Sequence, residues 1–455
     1  MATAERAILF APHGSAPCDE PAPVPGHSWS KGATALFGLH PVERTALALL
    51  HAGVRELIVT GDPPAARWVA ETLRTGRCRE ARVRELPAEQ LAAALDADES
   101  CLVARSDYLF DRRLVARFAE QTEGALATVV AVDFRRDALA SQRGAPRIAG
   151  WHAGPGVGPG EGVSRAGHGL MAPDGVWVGL ARVNASFARA LADAPPEARS
   201  LENALSLLAR REPVATWSVA ELWQAVRSDS LVQEDDVTLA RRKVLAGAVG
   251  VADGVIARHL NRPLSRRITE RLLSRDVSPW QISLASFLAT LAAGLSFAMG
   301  HATTGGLVAQ FASVLDGVDG EVARIRYQDS PFGGVYDALL DRIGDAALIG
   351  GMTLYAWLMG AGNSAVALGF AAVAGSSLSM LVKEKYGTQF ARRWAEERDG
   401  RWRWLLLGRD GRLFLSLVAG LTGHVEAVLA YLAFGTHVHA GVRIFRIRSE
   451  ARATA

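Results

Sequence analysis

The sequence predicts two fold classes in one chain: an α/β soluble domain followed by an all-α transmembrane domain of six helices. Three observations support this prediction. Short apolar stretches alternate with helical patterns over the first 240 residues or so, long apolar runs begin at about residue 280, and basic residues cluster in alternate links between those runs. A chain of 455 residues is long enough for two domains or more.

The first part of the chain has the alternation of strands and helices that is typical of an α/β domain with a mostly parallel sheet. Strands are predicted at Ala7–Phe10, Glu56–Thr60, Ser100–Val103 and Ala125–Val132. The first of these stretches is too brief for the hydrophobic region of a signal peptide, so we expect none before this domain.

The composition argues against two classes of protein. The net charge of +3 is small, and no basic stripe interleaved with aromatic residues indicates nucleic-acid binding. The three cysteines, Cys18, Cys78 and Cys101, fit no metal-ligand spacing and are too few for a disulfide framework. We therefore expect a reduced, cytosolic setting for the first half of the chain.

The linker between the two parts ends in apolar residues at helical spacing, Leu264, Ile268 and Leu272, with arginines between them. This pattern predicts an amphipathic helix that lies on the membrane surface just before the first span. A solvated linker helix is the alternative, because it would show the same spacing.

Apolar segments of about 20 residues are long enough to cross a bilayer as helices. Six are predicted, near 280–300, 303–323, 334–360, 363–382, 413–424 and 426–442. The links around His301, Gly362 and His424 contain no lysine or arginine, whereas the other links and both flanks are basic. By the positive-inside rule, we expect a multi-pass protein of the inner membrane with both termini and the basic links in the cytoplasm.

Four aspartates lie towards the ends of the second and third predicted spans. Asp316 and Asp319 are three residues apart, and Asp337 and Asp341 are four apart, so each pair shares one face of a helix. Carboxylates at membrane depth are costly and rare without partners or a function. Together the two pairs form an all-oxygen donor set suited to Mg²⁺ or Mn²⁺. Helix-cap and salt-bridge acids at the membrane edge are the alternative interpretation.

The segment from Asp316 to Asp341 resembles, position for position, the signature of the CDP-alcohol phosphotransferase (CDP-alcohol phosphatidyltransferase) family, D-x2-D-G-x2-A-R-x8-G-x3-D-x3-D. The resemblance implies two divalent ions bound by Asp316, Asp319 and Asp337. It also implies that Asp341 completes the second metal site and takes the proton from the attacking hydroxyl. The remaining signature residues would contact the cytidine diphosphate: Gly320, Ala323, Arg324 and Gly333.

Asp345 extends the Asp337–Asp341 stripe by one helical turn. Two interpretations are open. Asp345 lies directly behind the metal ligands, or it is a helix-packing acid paired with Arg342 or Arg324.

Three passages of the first domain resemble the Rossmann-like fold of sugar-nucleotide nucleotidyltransferases: Leu36–Asp62, Cys101–Asp111 and Trp223–Ala240. Several residues expected for activity are missing. Ala11–Pro17 has a single glycine and no arginine where a phosphate-binding loop is expected, and Lys31 lacks the preceding proline. Asp107 could bind a metal, but Ala225 stands where a second aspartate is expected. We therefore expect a degenerate domain, acting as a scaffold or a nucleotide-sensing remnant.

The fusion of such a domain to the membrane domain resembles the bifunctional inositol-1-phosphate cytidylyltransferase and di-myo-inositol phosphate phosphate synthase type. In those proteins the acceptor is itself a phosphorylated inositol, which requires a cationic pocket beside the aspartates. Lys383, Lys385 and Arg409 are placed to bind the acceptor phosphate. Ordinary positive-inside residues would have the same distribution, so this alternative stays open.

These patterns predict four segments: a nucleotidyltransferase-like cytoplasmic domain (1–240), a linker with a juxtamembrane helix (241–277), a six-helix membrane domain (278–447) and a basic cytoplasmic tail (448–455). The expected partners are a CDP-alcohol, an acceptor alcohol, Mg²⁺ or Mn²⁺, and the lipid bilayer. The family resemblance also implies a homodimer.

Three other functions remain open. One is a phospholipid synthase that uses CDP-diacylglycerol, and another is a bifunctional enzyme whose first domain is an active cytidylyltransferase. The third is a transport or scaffold protein whose intramembrane acids carry ions. Ion pathways do not need D-G-x2-A-R, and the combination of Gly320 with Arg324 favours a nucleotide ligand.

Overall fold

The computed structural model describes residues 6–11, 36–95, 100–106, 108–125, 127–134, 147–149, 163, 165–167, 175–195, 199–219, 226–227, 234–248, 254–275, 277–390, 394 and 396–454. The chain divides into two compact units, Met1–Val244 and Leu245–Ala455. Each unit has its own apolar core.

The first unit is an α/β domain built on a mixed sheet. Its strands are β1 (Arg6–Ala11), β2 (Glu56–Gly61), β3 (Arg82–Glu85), β4 (Cys101–Arg105), β5 (Tyr108–Leu109), β6 (Val129–Asp133), β7 (Arg147–Ala149), β8 (Arg165–Gly167), β9 (Gly175–Val183), β10 (Ala215–Ser218) and β11 (Val226–Arg227). Its helices are α1 (Pro41–His51), α2 (Pro63–Thr75), α3 (Ala88–Ala94), α4 (Arg112–Gln121), α5 (Ala185–Asp193), α6 (Leu201–Ala209) and α7 (Glu234–Gly247). The main path of the sheet runs β10-β6-β9-β4-β1-β2-β3, and β5 pairs with β11 in a separate ribbon.

The α/β class was predicted correctly, and the pairs β1–β2, β1–β4 and β2–β3 are parallel. Strands β1 and β4 are almost entirely buried, which explains their continuous apolar sequences, since parallel strands are usually covered on both faces. The sheet departs from the expected parallel arrangement at β9. This strand lies between β4 and β6 and is antiparallel to both.

The second unit is helical in its described residues. Two π-helical turns, Ala257–Asn261 and Trp357–Ala361, and a 3₁₀ segment, Glu396–Leu405, accompany its α-helices. The α-helices are α8 (Arg262–Leu273), α9 (Pro279–Ala298), α10 (Ala302–Arg326), α11 (Pro331–Ala356), α12 (Gly362–Phe390), α13 (Arg409–Thr422) and α14 (Val425–Thr454).

Within the described residues, three helical segments are long and apolar enough to cross a membrane: Pro279–Ala298, Pro331–Phe390 and Val425–Arg452. The middle segment has 60 residues and includes both α11 and α12, which meet at a kink where Gly360 has a φ of 102°. Helix α13 has 14 residues, fewer than the 20 or so that span a bilayer. Helices therefore occupy all six predicted segments, whereas the number that cross the membrane stays a prediction.

Glycines allow α9 and α11 to touch backbone to backbone. A Cβ atom built on Gly294 of α9 would lie 2.6 Å from the carbonyl oxygen of Ala347 on α11. A Cβ built on Gly351 of α11 would lie 2.0 Å from the carbonyl oxygen of Gly294. Such small-residue contacts are typical of helix packing in membranes. They hold α9 close to the helix that carries two of the signature aspartates.

Candidate metal and phosphate site

The signature aspartates lie on α10 and α11, which are joined by a short turn. Helix α10 ends at Arg326, and Tyr327 follows in the left-handed conformation with a φ of 53°. Ser330 then caps α11, because its hydroxyl accepts a hydrogen bond from Gly333 N at 3.0 Å. Pro331 occupies the first turn, where its missing N–H costs nothing. This turn reverses the chain and brings acids of both helices together.

Three of the four signature aspartates form one cluster. Asp316, Asp319 and Asp337 each offer a carboxylate oxygen, and these oxygens lie within 4.8 Å of one another. Asp319 is buried and accepts a hydrogen bond from the Ser283 hydroxyl of α9. Carboxylates this close repel one another unless a cation lies near them, and oxygen ligands are those that Mg²⁺ and Mn²⁺ prefer. The donor set therefore fits a hard divalent cation.

Arg409, the first residue of α13, places its guanidinium between the two aspartate helices. Its Nη1 lies 2.5 Å from Asp316 Oδ1, and its Nη2 lies 2.9 Å from Asp341 Oδ1. The exposed fractions of the Arg409, Asp316 and Asp341 side chains are 13%, 22% and 15%. Arg409 therefore links the cluster of Asp316, Asp319 and Asp337 to Asp341, the fourth signature aspartate, which pairs with the arginine.

The residues predicted to contact the nucleotide lie on α10 and at the start of α11. The Arg324 guanidinium covers Gly320, since a Cβ atom built on Gly320 would lie 2.9 Å from Arg324 Nη1. Arg324 also donates a hydrogen bond to the carbonyl oxygen of Ala248. Ala323 is half-buried, and Gly333 is exposed in the first turn of α11. Because Gly320 has no side chain, the Arg324 guanidinium can lie against α10 one residue from Asp319.

The two lysines predicted for the acceptor pocket lie towards the end of α12. Lys383 is half-buried and Lys385 is exposed. Between them, Glu384 forms an ion pair with Arg342 of α11. Arg409, the third cation predicted for this pocket, contacts the signature aspartates Asp316 and Asp341.

Asp345 forms a buried ion pair with Arg412 of α13. Asp345 thus pairs with Arg412, a partner that was not considered from the sequence. Arg412 also donates a hydrogen bond to the carbonyl oxygen of Leu407 at 2.9 Å. This pairing fixes α13 against α11 four residues beyond Asp341, and so supports the position of Arg409.

Three residues at the site or on the helix face behind it were not identified from the sequence: Ser283, Glu321 and Arg412. Glu321 offered a signal, because it is an acid within the signature segment of an otherwise apolar region. Ser283 and Arg412 offered none, since their contacts depend on packing between helices that are distant in sequence.

The residues considered for a nucleotide site in the first domain are mostly outside the described part of the chain. This applies to residues 12–17 of the expected phosphate-binding loop, Lys31, Asp107 and Ala225. Ala11 is the last residue of β1.

The passage Leu36–Asp62 is described throughout, and its His40 has a structural role. The His40 ring accepts a hydrogen bond from Val42 N at 3.3 Å, and the Glu43 carboxylate accepts one from His40 N at 2.9 Å. Together they cap α1. Burial lowers the pKa of His40 to about 4, so the ring is neutral near pH 7.

The site lies within a segment that matches a known protein family. Residues 277–438 match the family model described as CDP-alcohol phosphatidyltransferase. A protein of Rubrobacter xylanophilus named "Bifunctional IPC transferase and DIPP synthase" is 39% identical over 43% of this chain and 42% of its own length. An Aquifex aeolicus protein of the same name is 29% identical over 62% of this chain and 63% of its own length. The chain thus spans about two fifths to three fifths of the length of these relatives.

Among solved structures, that of the inositol-1-phosphate CTP transferase from T. maritima is similar to this chain with a TM-score of 0.38 and 11% identity. The match covers 53% of this chain and 97% of that protein. The family match, in contrast, includes all four signature aspartates and Arg409. Residues 277–438 of this chain are therefore similar to the CDP-alcohol phosphatidyltransferase family.

Proposed function

We propose that this protein is an integral-membrane CDP-alcohol phosphotransferase. It would transfer a phospho-alcohol group from a CDP-alcohol to an acceptor hydroxyl and release CMP. The observation that carries this proposal is the cluster of Asp316, Asp319 and Asp337, whose oxygens lie within 4.8 Å inside the family-matched segment.

The cluster fits Mg²⁺ or Mn²⁺, with Asp316, Asp319 and Asp337 as the residues that would hold the ions. When bound, such ions stabilise the negative charge that develops on a transferred phosphoryl group. The expected number of two ions rests on the family signature, in which Asp341 completes the second site.

The cytidine diphosphate would lie against α10. Gly320 and Gly333 lack side chains, so a nucleotide can approach the backbone closely at both positions. Arg324 would neutralise phosphate charge beside the cluster, and its planar fork of donors suits phosphate oxygens. The methyl side chain of Ala323 would leave space for the nucleotide on this face of α10.

Asp341 would take the proton from the acceptor hydroxyl as that oxygen attacks the β-phosphorus of the CDP-alcohol. A P–O bond forms to the acceptor, the P–O bond to CMP breaks, and a phosphodiester remains. The contact between Arg409 Nη2 and Asp341 Oδ1 at 2.9 Å orients this carboxylate.

We propose an acceptor of the inositol-phosphate type, with Arg409, Lys383 and Lys385 as candidates to bind its phosphate. The names of the two relatives support this substrate class for the region that they share with this chain. The position of Arg409 between Asp316 and Asp341 would bring an acceptor phosphate close to the reacting hydroxyl.

The proposal extends to topology and to the first domain. Six membrane-spanning helices would leave the aspartate cluster, both termini and the basic tail on the cytoplasmic side of the inner membrane. The protein would form a homodimer there. The α/β domain would act as a scaffold or nucleotide sensor without nucleotidyl transfer.

The test is CMP release by the purified protein with labelled CDP-inositol or CDP-diacylglycerol, candidate acceptors, and Mg²⁺. We expect turnover with CDP-inositol and an inositol phosphate, and loss of at least about 100-fold in Asp341→Asn, because general acid–base groups contribute roughly 10²–10⁴-fold. The control is Glu426→Gln, which neutralises an exposed acid at the start of α14.

Turnover with CDP-diacylglycerol alone, yielding an organic-extractable product, would favour the phospholipid synthase. Unchanged turnover in Asp341→Asn would refute the role of Asp341. An absence of CMP release with every donor would refute the assignment of this protein as a CDP-alcohol phosphotransferase.

A further inference from the structure

Glu321 lies within the signature segment of α10 yet faces away from the metal-binding cluster. It is buried, with 1% of its surface exposed. Its Oε1 accepts hydrogen bonds from Arg262 Nη1 at 2.5 Å and from Ser265 Oγ at 2.8 Å. Its Oε2 accepts one from Thr269 Oγ1 at 2.6 Å. All three donors belong to α8, so one carboxylate fastens two helices together.

The contact continues along α10 towards its N-terminus. Gln310 Nε2 donates to Asn261 Oδ1 at 2.7 Å, and Asn261 Nδ2 donates to Ser313 Oγ at 2.9 Å. Arg262 Nη1 also donates to the carbonyl oxygen of Gly317 at 3.2 Å. Positions 310, 313, 317 and 321 are spaced by three or four residues, so they share one face of α10. We call this face and its partners on α8 and the preceding π-helical turn the polar seam.

The polar seam changes the interpretation of the juxtamembrane helix. The face of α8 that packs on the protein includes Arg262, Ser265 and Thr269, all buried. Leu264, part of the apolar pattern found in the sequence, has 44% of its surface exposed. An exposed apolar face is compatible with contact to a bilayer, while the buried polar face packs against the helix of the active site.

The polar seam and the cluster lie on different faces of the same helical turns. Each residue of an α-helix is rotated by about 100° from the previous one, so Glu321 lies about 200° around the axis from Asp319. A helix held by several hydrogen bonds on one face cannot rotate freely about its axis. The polar seam therefore fixes the direction in which Asp316 and Asp319 point. This direction matters because a catalytic site loses activity when its groups are displaced by even about 1 Å.

We propose that Glu321 and Arg262 are positioning residues for the aspartate cluster. The juxtamembrane helix, docked through the polar seam, sets the rotation of α10 and thereby the affinity of the cluster for divalent cations. This inference rests on the proposed function for its consequence in catalysis, but its test measures metal binding without turnover.

The test compares Mn²⁺ binding, followed by electron paramagnetic resonance, in the purified full chain and in Glu321→Gln. We expect Mn²⁺ to bind about tenfold more weakly in Glu321→Gln, as for other residues that orient metal ligands. The matched control is Arg267→Gln, which removes an exposed charge from α8 outside the polar seam. Its Mn²⁺ affinity should equal that of the unmodified protein.

A second pair of variants keeps the test valid if Glu321→Gln does not fold. Ser265→Ala and Thr269→Val each remove one hydroxyl donor and keep the ion pair with Arg262. Each should weaken Mn²⁺ binding by a few-fold while the elution volume and thermal unfolding remain those of a folded protein. The conservative variant Arg262→Lys should retain more Mn²⁺ affinity than Arg262→Met.

Equal Mn²⁺ affinity in folded Glu321→Gln, or in both hydroxyl variants, would overturn the inference. Mn²⁺ binding with no CMP release in the unmodified protein would instead refute the proposed function and leave the positioning role standing. CMP release by the unmodified protein, together with unchanged Mn²⁺ affinity in the variants, would support the proposed function and refute the positioning role.

Discussion

At the scale of single residues, the site depends on one guanidinium as well as on the aspartates. Arg409 contacts Asp316 and Asp341 through different nitrogens, and its fork of donors has a fixed geometry. It therefore holds the two carboxylates at a defined separation. A lysine at this position would offer a single flexible ammonium group and could not hold both carboxylates in the same way.

The sequence predicted the residues of the cluster better than their partners. Spacings of three and four residues place Asp316 with Asp319 on one helical face, which is a local property of the chain. The contact of Arg409 with Asp341, and that of Arg412 with Asp345, join helices distant in sequence. No local pattern specifies such pairs, so they became visible only in the structure.

Another buried ion pair anchors the segment that leads to Arg409. Asp399 accepts hydrogen bonds from Arg443 Nη2 at 2.5 Å, Arg443 Nε at 2.9 Å and Trp394 Nε1 at 3.0 Å. His439 Nε2 lies 3.4 Å from Asp399 Oδ2. Burial raises the pKa of Asp399, but the hydrogen bonds from Arg443 and the nearby His439 ring outweigh burial and hold that pKa well below its usual range.

We expect Asp399→Asn to lower the free energy of unfolding at pH 7 by about 3–5 kcal/mol, because it leaves Arg443 buried without its ionic partner. A pKa lowered by folding gives stabilisation that is full above the unfolded value of about 4 and is lost as pH falls towards the folded value. The difference between the two proteins should thus be constant from pH 8 to 5 and shrink below about pH 4. Unfolding in detergent micelles, followed by tryptophan fluorescence, measures it.

The control for Asp399→Asn is Glu450→Gln. Glu450 pairs with Arg398 of the same segment at 2.9 Å, but the two side chains are 31% and 36% exposed. Exposed ion pairs contribute about 0–1 kcal/mol. Equal destabilisation by the two variants, or a difference that does not change with pH, would contradict this account.

At the scale of helices and strands, the apolar pattern predicted the six long helical segments and four strands, β1, β2, β4 and β6, and missed elements whose environment is unusual. Strand β9 was not identified, and its insertion makes the sheet mixed. The apolar pattern of α8 was found, but not its buried polar face, because buried and solvated polar residues look alike in a hydropathy pattern. Buried Ser265 and Thr269 are examples.

Two adjacent glycines of α11 should respond in opposite ways to alanine. A Cβ atom at Gly351 would lie 2.0 Å from the carbonyl oxygen of Gly294, so Gly351→Ala forces α9 and α11 apart. A Cβ at Gly350 meets nothing within 4 Å, so Gly350→Ala should stabilise the helix by about 0.5–1 kcal/mol. Thermal unfolding in detergent tests both, and a loss of stability in Gly350→Ala alone would contradict the packing described.

At the scale of the whole molecule, the chain combines an α/β unit with a helical unit that contains the family-matched segment. The contrast between them was predictable, because long apolar runs and alternating short ones differ in composition over hundreds of residues. The number of crossings was less accessible, since α13 is short and α10 carries the charged residues of the site. The charged residues that the site requires lower the hydropathy of α10, and high hydropathy is what identifies a membrane-spanning helix in a sequence.

The most direct test of the central claim is the anomalous scattering of Mn²⁺ in crystals of the full chain. We predict a peak between Asp316, Asp319 and Asp337, with metal–oxygen distances of about 2.1 Å, as expected for a small divalent cation. Saturating Mn²⁺ that gave no peak there, or gave one only elsewhere on the protein, would contradict the account.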